Sequence, residues 1–121
     1  MPVYDRANIF ARILNGEEPH TKVHEDEFAL AFRCVPARTP VHVLVIPKGE
    51  YVSNVDFCAS ASTEMIAGFW RAVATTAQKL GLEESGYRLV ANHGHDGNQT
   101  VPHFHVHILG GRRMPPIAKQ A

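Results

Sequence analysis

Polar and apolar residues alternate strictly along residues 103–109, where Phe104, Val106 and Ile108 interleave with His103, His105 and His107. Successive side chains of an extended chain leave opposite faces, so this pattern predicts a strand with one apolar face and one imidazole face. Residues 41–46 form a β-branched run stopped by Pro47-Lys48-Gly49, with His42, Leu44 and Ile46 opposite Val41, Val43 and Val45. Shorter strands are predicted at 21–25 and 28–33, joined by a tight turn at Glu25-Asp26-Glu27, and another at 87–92. Helical spacing dominates residues 60–80: Ile66, Phe69, Val73, Ala77 and Leu80 share one stripe, Ser60 or Ser62 can cap it, and Gly81 suits the position past its end. Trp70 beside that stripe reads as core or interface packing. A short first helix, capped by Asp5, carries Ile9, Phe10 and Ile13 and stops at Asn15-Gly16. The order is helix, three strands, long helix, two strands. A polar loop at 92–102 rather than a helix joins the last two strands, so they pair antiparallel. The expectation is an α+β domain, a largely antiparallel sheet covered on one face.

Composition narrows the picture. A chain of 121 residues is most simply one domain, residues 1–121. Twelve Lys and Arg balance twelve Asp and Glu, which argues against the broad basic footprint of a nucleic-acid binder but not against a small anionic ligand. Cys34 and Cys58 form no metal or disulfide pattern. The first residues show no basic segment followed by an apolar run, and no apolar stretch approaches the roughly 20 residues that span a bilayer. The expectation is a soluble cytoplasmic protein without membrane contact.

Three histidines on one strand face have three readings. They can be solvent-exposed without a role. They can bind zinc, since three imidazoles plus water form a known catalytic arrangement, with His42 as a further ligand. They can also carry covalent phosphoryl or nucleotidyl chemistry. A neutral imidazole nitrogen attacks phosphorus, and neighbouring rings donate to the phosphate oxygens and fix the attacking tautomer. Gly94 and Gly97 in the preceding loop let backbone amides approach a phosphate. His93 and His95 in that loop read as solvent-facing.

The segment His103-Phe104-His105-Val106-His107-Ile108-Leu109 resembles the signature of the histidine triad (HIT) superfamily, and Gly110-Gly111-Arg112 resembles its nucleotide-binding HINT branch. Ile9-Phe10 with Ile13, Ala31-Phe32, Pro40-Val41-His42, Val45-Ile46-Pro47-Lys48, Gly86-Tyr87-Arg88, Asn92, Asp96-Gly97 and Gln99-Thr100 follow in matching order, so the resemblance reaches from the first helix to about Met114.

The resemblance implies a HIT-like fold: a five-stranded antiparallel sheet with a short N-terminal helix and one long helix. It implies a purine nucleoside phosphoramidase that cleaves the P–N bond of nucleoside 5′-phosphoramidates. His105 would be the nucleophile, His107 and His42 would position it and contact phosphate, and His103 would support it through the backbone. Thr100 would supply a hydroxyl to the leaving group, with Asn92 and Gln99 near the phosphate. Ile9, Phe10, Ile13, Phe32 and Val35 would line a purine pocket. The partners implied are a purine nucleotide (AMP- or GMP-like) and a second copy in a homodimer with a continuous sheet, with neither metal nor other cofactor. Alternatives within reach are a dinucleoside polyphosphate hydrolase, a nucleotide-binding regulatory module and a zinc-dependent hydrolase.

Two positions depart from the HINT pattern. Cys34 stands where an Asp usually binds the ribose hydroxyls, and a thiol cannot hold a vicinal diol in charge-assisted bonds, so ribose discrimination should weaken. The tail from Met114 to Ala121 lacks the aromatic residue that family tails often carry.

Overall fold

The computed structural model describes residues 3–117. The predicted tail therefore falls partly outside the described residues, from 118 to 121. Five strands form one antiparallel sheet: β1 (Lys22–Glu25), β2 (Ala29–Arg33), β3 (Val41–Pro47), β4 (Arg88–Val90) and β5 (Val106–Gly110), in the spatial order β1-β2-β3-β5-β4. Three helices accompany it: α1 (Ile9–Leu14), α2 (Asn54–Ser60) and α3 (Thr63–Lys79).

Strand alternation sorts the apolar residues into two cores. Ala29, Ala31, Val43, Val45, Val106 and Ile108 face α3 and α2, where Phe69, Val73, Ala77 and Phe57 meet them with Phe104. Leu30, Phe32, Leu44 and Ile46 face the other way, onto Phe10 and Ile13 of α1. The sheet is thus covered on both faces rather than one, which is why β2 and β3 read as continuous apolar runs rather than as half-buried alternations. The α1 face is covered only in part, and the uncovered part becomes the site.

Local chemistry accounts for three further differences from the sequence expectations. The cap of α1 is Asn8, whose side chain accepts from the Ala11 amide at 2.9 Å; Asp5 instead accepts from Ala7 one turn earlier. The long helix begins at Thr63 with Ser62 as its cap, and a separate short helix, α2, precedes it across the extended residue Ala61. Ser53 and Asp56 close a capping box at the start of α2, with the Asp56 carboxylate accepting from the Val52 and Ser53 amides at 2.6 and 2.7 Å. The histidine strand is shorter than its alternation suggests. β5 starts at Val106, opposite Val45, and His103 and His105 precede it. The ladder cannot run on to Pro47, which has no N–H, and the Phe104 amide turns away to the Tyr51 carbonyl at 2.7 Å.

Candidate active site

A cavity of about 970 Å³ opens on the α1 face of the sheet. Ile9, Phe10 and Ile13 of α1 and Phe32 and Leu44 of the sheet form its apolar side. Cys34, Val35, Pro36 and Arg38, from the β2–β3 connection, form its rim, and His42, His105, His107 and Thr100 lie at its polar end. Among the described residues no carboxylate lines it.

Of the residues singled out by sequence, Ile9, Phe10, Ile13, Phe32, Cys34, Val35, His42, Thr100, His105 and His107 are therefore brought together. His103, Asn92 and Gln99 do not line the cavity. The Asn92 amide donates to the Gly97 carbonyl at 2.7 Å, and Gln99 donates to the Val52 and Val101 carbonyls while accepting from the Gly94 amide. Both side chains brace the loop through these bonds. His93 and His95 are solvent-facing, and His95 pairs with Asp96.

Hydrogen bonds to the main chain assign the protons. A carbonyl only accepts, so His105, 2.7 Å from the His103 carbonyl through Nδ1, carries its proton there. Its Nε2 then holds a free lone pair. The Arg38 amide donates to Nδ1 of His42 at 3.1 Å, which leaves the His42 proton on Nε2, 2.9 Å from Nδ1 of His107. His107 in turn carries its proton on Nε2. His103, completely buried, donates from Nε2 to the Pro47 carbonyl at 3.1 Å and accepts at Nδ1 from the Tyr4 hydroxyl at 2.5 Å.

These assignments require neutral rings. Burial pushes His103 down to about 4, and burial followed by the charges of His105, His42 and Arg38 pushes His107 to about 4. Burial also lowers His105 and His42, with Arg38 adding to the effect at His42. Burial raises the Cys34 thiol despite Arg38, so it stays protonated at neutral pH; it donates weakly to the Pro36 carbonyl at 3.7 Å. Arg38 thus faces a rim with no negative charge.

The donor set fits a metal poorly. The rings have spent their other nitrogens on the main chain or on each other. No group of three or more His, Cys, Asp or Glu residues that could hold a metal occurs among the described residues.

Sequence reasoning missed four positioning groups. The main chain at Arg38, Pro47 and Tyr51 has no side-chain signature to read. Tyr4 has one, an aromatic hydroxyl just before the first helix, but nothing local links it to His103.

Comparisons with known proteins agree with this architecture. The HIT domain model matches residues 15–114. An uncharacterised 13.2 kDa HIT-like protein of Azospirillum brasilense is 52% identical over 114 residues, covering 94% of this chain and 93% of the relative. A 14 kDa zinc-binding protein of Zea mays is 40% identical, covering 93% of this chain and 89% of its own length. Among solved structures, a HIT family hydrolase from Legionella pneumophila superposes with a TM-score of 0.83 at 41% identity, covering 89% of this chain and 96% of that one.

Proposed function

The chain belongs to the HIT domain family, and from that premise we propose that it hydrolyses the P–N bond of purine nucleoside 5′-phosphoramidates. One observation carries the reading. At the polar end of an apolar-walled cavity, the main chain leaves one free imidazole lone pair, on His105, and one free imidazole donor, on His107.

The base occupies the slot between α1 and Phe32, and phosphorus lies against His105. The Nε2 lone pair of His105 forms a bond to phosphorus while the P–N bond breaks. The departing nitrogen takes a proton from water and leaves as the amine, while the Nε2–H of His107 donates a hydrogen bond to the phosphoryl oxygens. The His105 ring, now bonded at Nε2 and protonated at Nδ1, is cationic, and the His103 carbonyl stabilises it. The hydroxide left by that proton transfer attacks phosphorus as the P–Nε2 bond breaks, which releases the nucleoside 5′-monophosphate with His105 restored. Thr100 lies within the same cavity for the leaving group. The poor fit of the donor set to zinc favours this covalent route over a metal hydrolase.

The same reading extends to assembly. β4 is an edge strand, and Tyr87 and Leu89 are exposed beside it, which suits pairing with a second copy. Among the described residues no helix is long and apolar enough to cross a membrane, and we place the enzyme in the cytoplasm. Turnover of adenosine 5′-phosphoramidate tests the chemistry. His105→Asn should lower kcat by at least roughly 10³-fold, and a variant of undiminished activity would remove His105 as the nucleophile.

A further inference from the structure

Tyr4 lies before the segment that the HIT domain model matches, yet its hydroxyl reaches the first histidine of the triad. The two rings meet edge-on, with centroids 5.6 Å apart and planes at 70°. The proton on Nε2 of His103 is committed to the Pro47 carbonyl, so Nδ1 is a buried lone pair, and the Tyr4 hydroxyl is its donor. His103 and Phe104 precede β5 and have no ladder bonds to hold them. What fixes this stretch is the Phe104 amide on the Tyr51 carbonyl and the two bonds to the His103 ring. The carbonyl of this same His103 receives the Nδ1 proton of His105 at 2.7 Å.

We propose that Tyr4 is a positioning residue for the nucleophile: by pinning the His103 ring at its second nitrogen, it holds the His103 carbonyl where it keeps His105 in the Nδ1–H form with Nε2 toward the cavity. The proposal rests on the reading of His105 as nucleophile. Tyr4 is coupled to the cavity wall as well. The neighbouring Asp5 carbonyl accepts from the Asn8 amide and side chain, Asn8 caps α1, and α1 presses Phe10 edge-on against His105 with centroids 5.0 Å apart. Tyr4 itself does not line the cavity, so its loss should change how the nucleophile is aimed and not how the ligand is held.

Tyr4→Phe keeps the ring against His103 and removes only the donor. Adenosine 5′-phosphoramidate kinetics should show kcat reduced about tenfold with KM within about twofold of native, the pattern of a misaimed reacting group. Nitrogen-15 NMR of the imidazoles should show a single Nδ1–H form of His105 in the native chain and a mixture of tautomers in the variant. A melting curve of each sample keeps the assays below its midpoint. An unchanged kcat, or an unchanged His105 tautomer with only a lower melting midpoint, would overturn the proposal. A native chain that never turns over the phosphoramidate would fell the proposed activity, and the NMR comparison alone would then decide the role of Tyr4.

Discussion

A carbonyl accepts and an amide donates, and at His103, His105 and His42 that asymmetry places the imidazole proton. The histidines themselves were legible in the sequence, because alternation marks them as sharing a face. Their tautomers were not, because the groups that fix them are main-chain atoms of Pro47, His103 and Arg38, which any residue at those positions would present. The loop bonds of Asn92 and Gln99 were illegible for a related reason: a side-chain amide satisfies neighbouring carbonyls as readily as a phosphate, and sequence spacing does not show which it meets. Cys34 is where residue chemistry most clearly bears on selectivity. A neutral thiol at the cavity rim can neither accept strongly nor pair with a vicinal diol. Adenosine and 2′-deoxyadenosine 5′-phosphoramidates should therefore be turned over within about threefold of each other, and Cys34→Asp should widen the ratio to at least about tenfold by restoring charge-assisted acceptors. Equal ratios in the two proteins would contradict this.

Secondary structure followed the hydrophobic pattern where packing and propensity agree. The stripe through Phe69, Val73 and Ala77 is the buried face of α3, and Gly81, with φ of +73°, sits past its end as expected. Gly68 explains how closely α3 approaches the β1–β2 turn: a Cβ there would stand 2.3 Å from the Phe28 ring. The missed element, α2, did carry a signal in Ser53 and Asp56, three residues apart, but its seven residues contribute too few apolar positions to show a period. Its importance is positional. The segment leading into it offers the Tyr51 carbonyl to Phe104 and the Val52 carbonyl to Gln99, and so braces the loop and the start of the triad. At the opposite end of the sheet, β4 leaves its outer edge unpaired among the described residues, with Leu89 exposed. Sedimentation equilibrium should find the native chain dimeric at micromolar concentration and Leu89→Arg shifted toward monomer, since two like charges would face each other across the paired edge. A native monomer throughout that range would remove β4 as an assembly edge.

Across the molecule, one sheet separates two environments: the face under α3 holds the larger core, and the face half-covered by α1 holds the imidazoles of His42, His105 and His107. Burying those rings in neutral form has a thermodynamic consequence. Their folded pKa values lie below the ordinary imidazole value of about 6.5, with His103 and His107 at about 4. As pH falls below about 6.5 the unfolded chain binds protons that the folded chain refuses, so the stabilisation present above that pH is progressively lost down to about 4. Calorimetry should show the melting midpoint falling across this window, with His103→Asn flattening the dependence; a midpoint constant from neutral pH to pH 4 would contradict the neutral assignment. Those neutral rings matter because the whole arrangement converges on one nitrogen. The most direct test is an acid- or denaturant-free rapid quench of a single turnover of adenosine 5′-phosphoramidate, followed by intact and peptide mass spectrometry. The prediction is a transient adenylyl group on His105, absent from His105→Asn; turnover without any adduct, or an adduct on another residue, would contradict it.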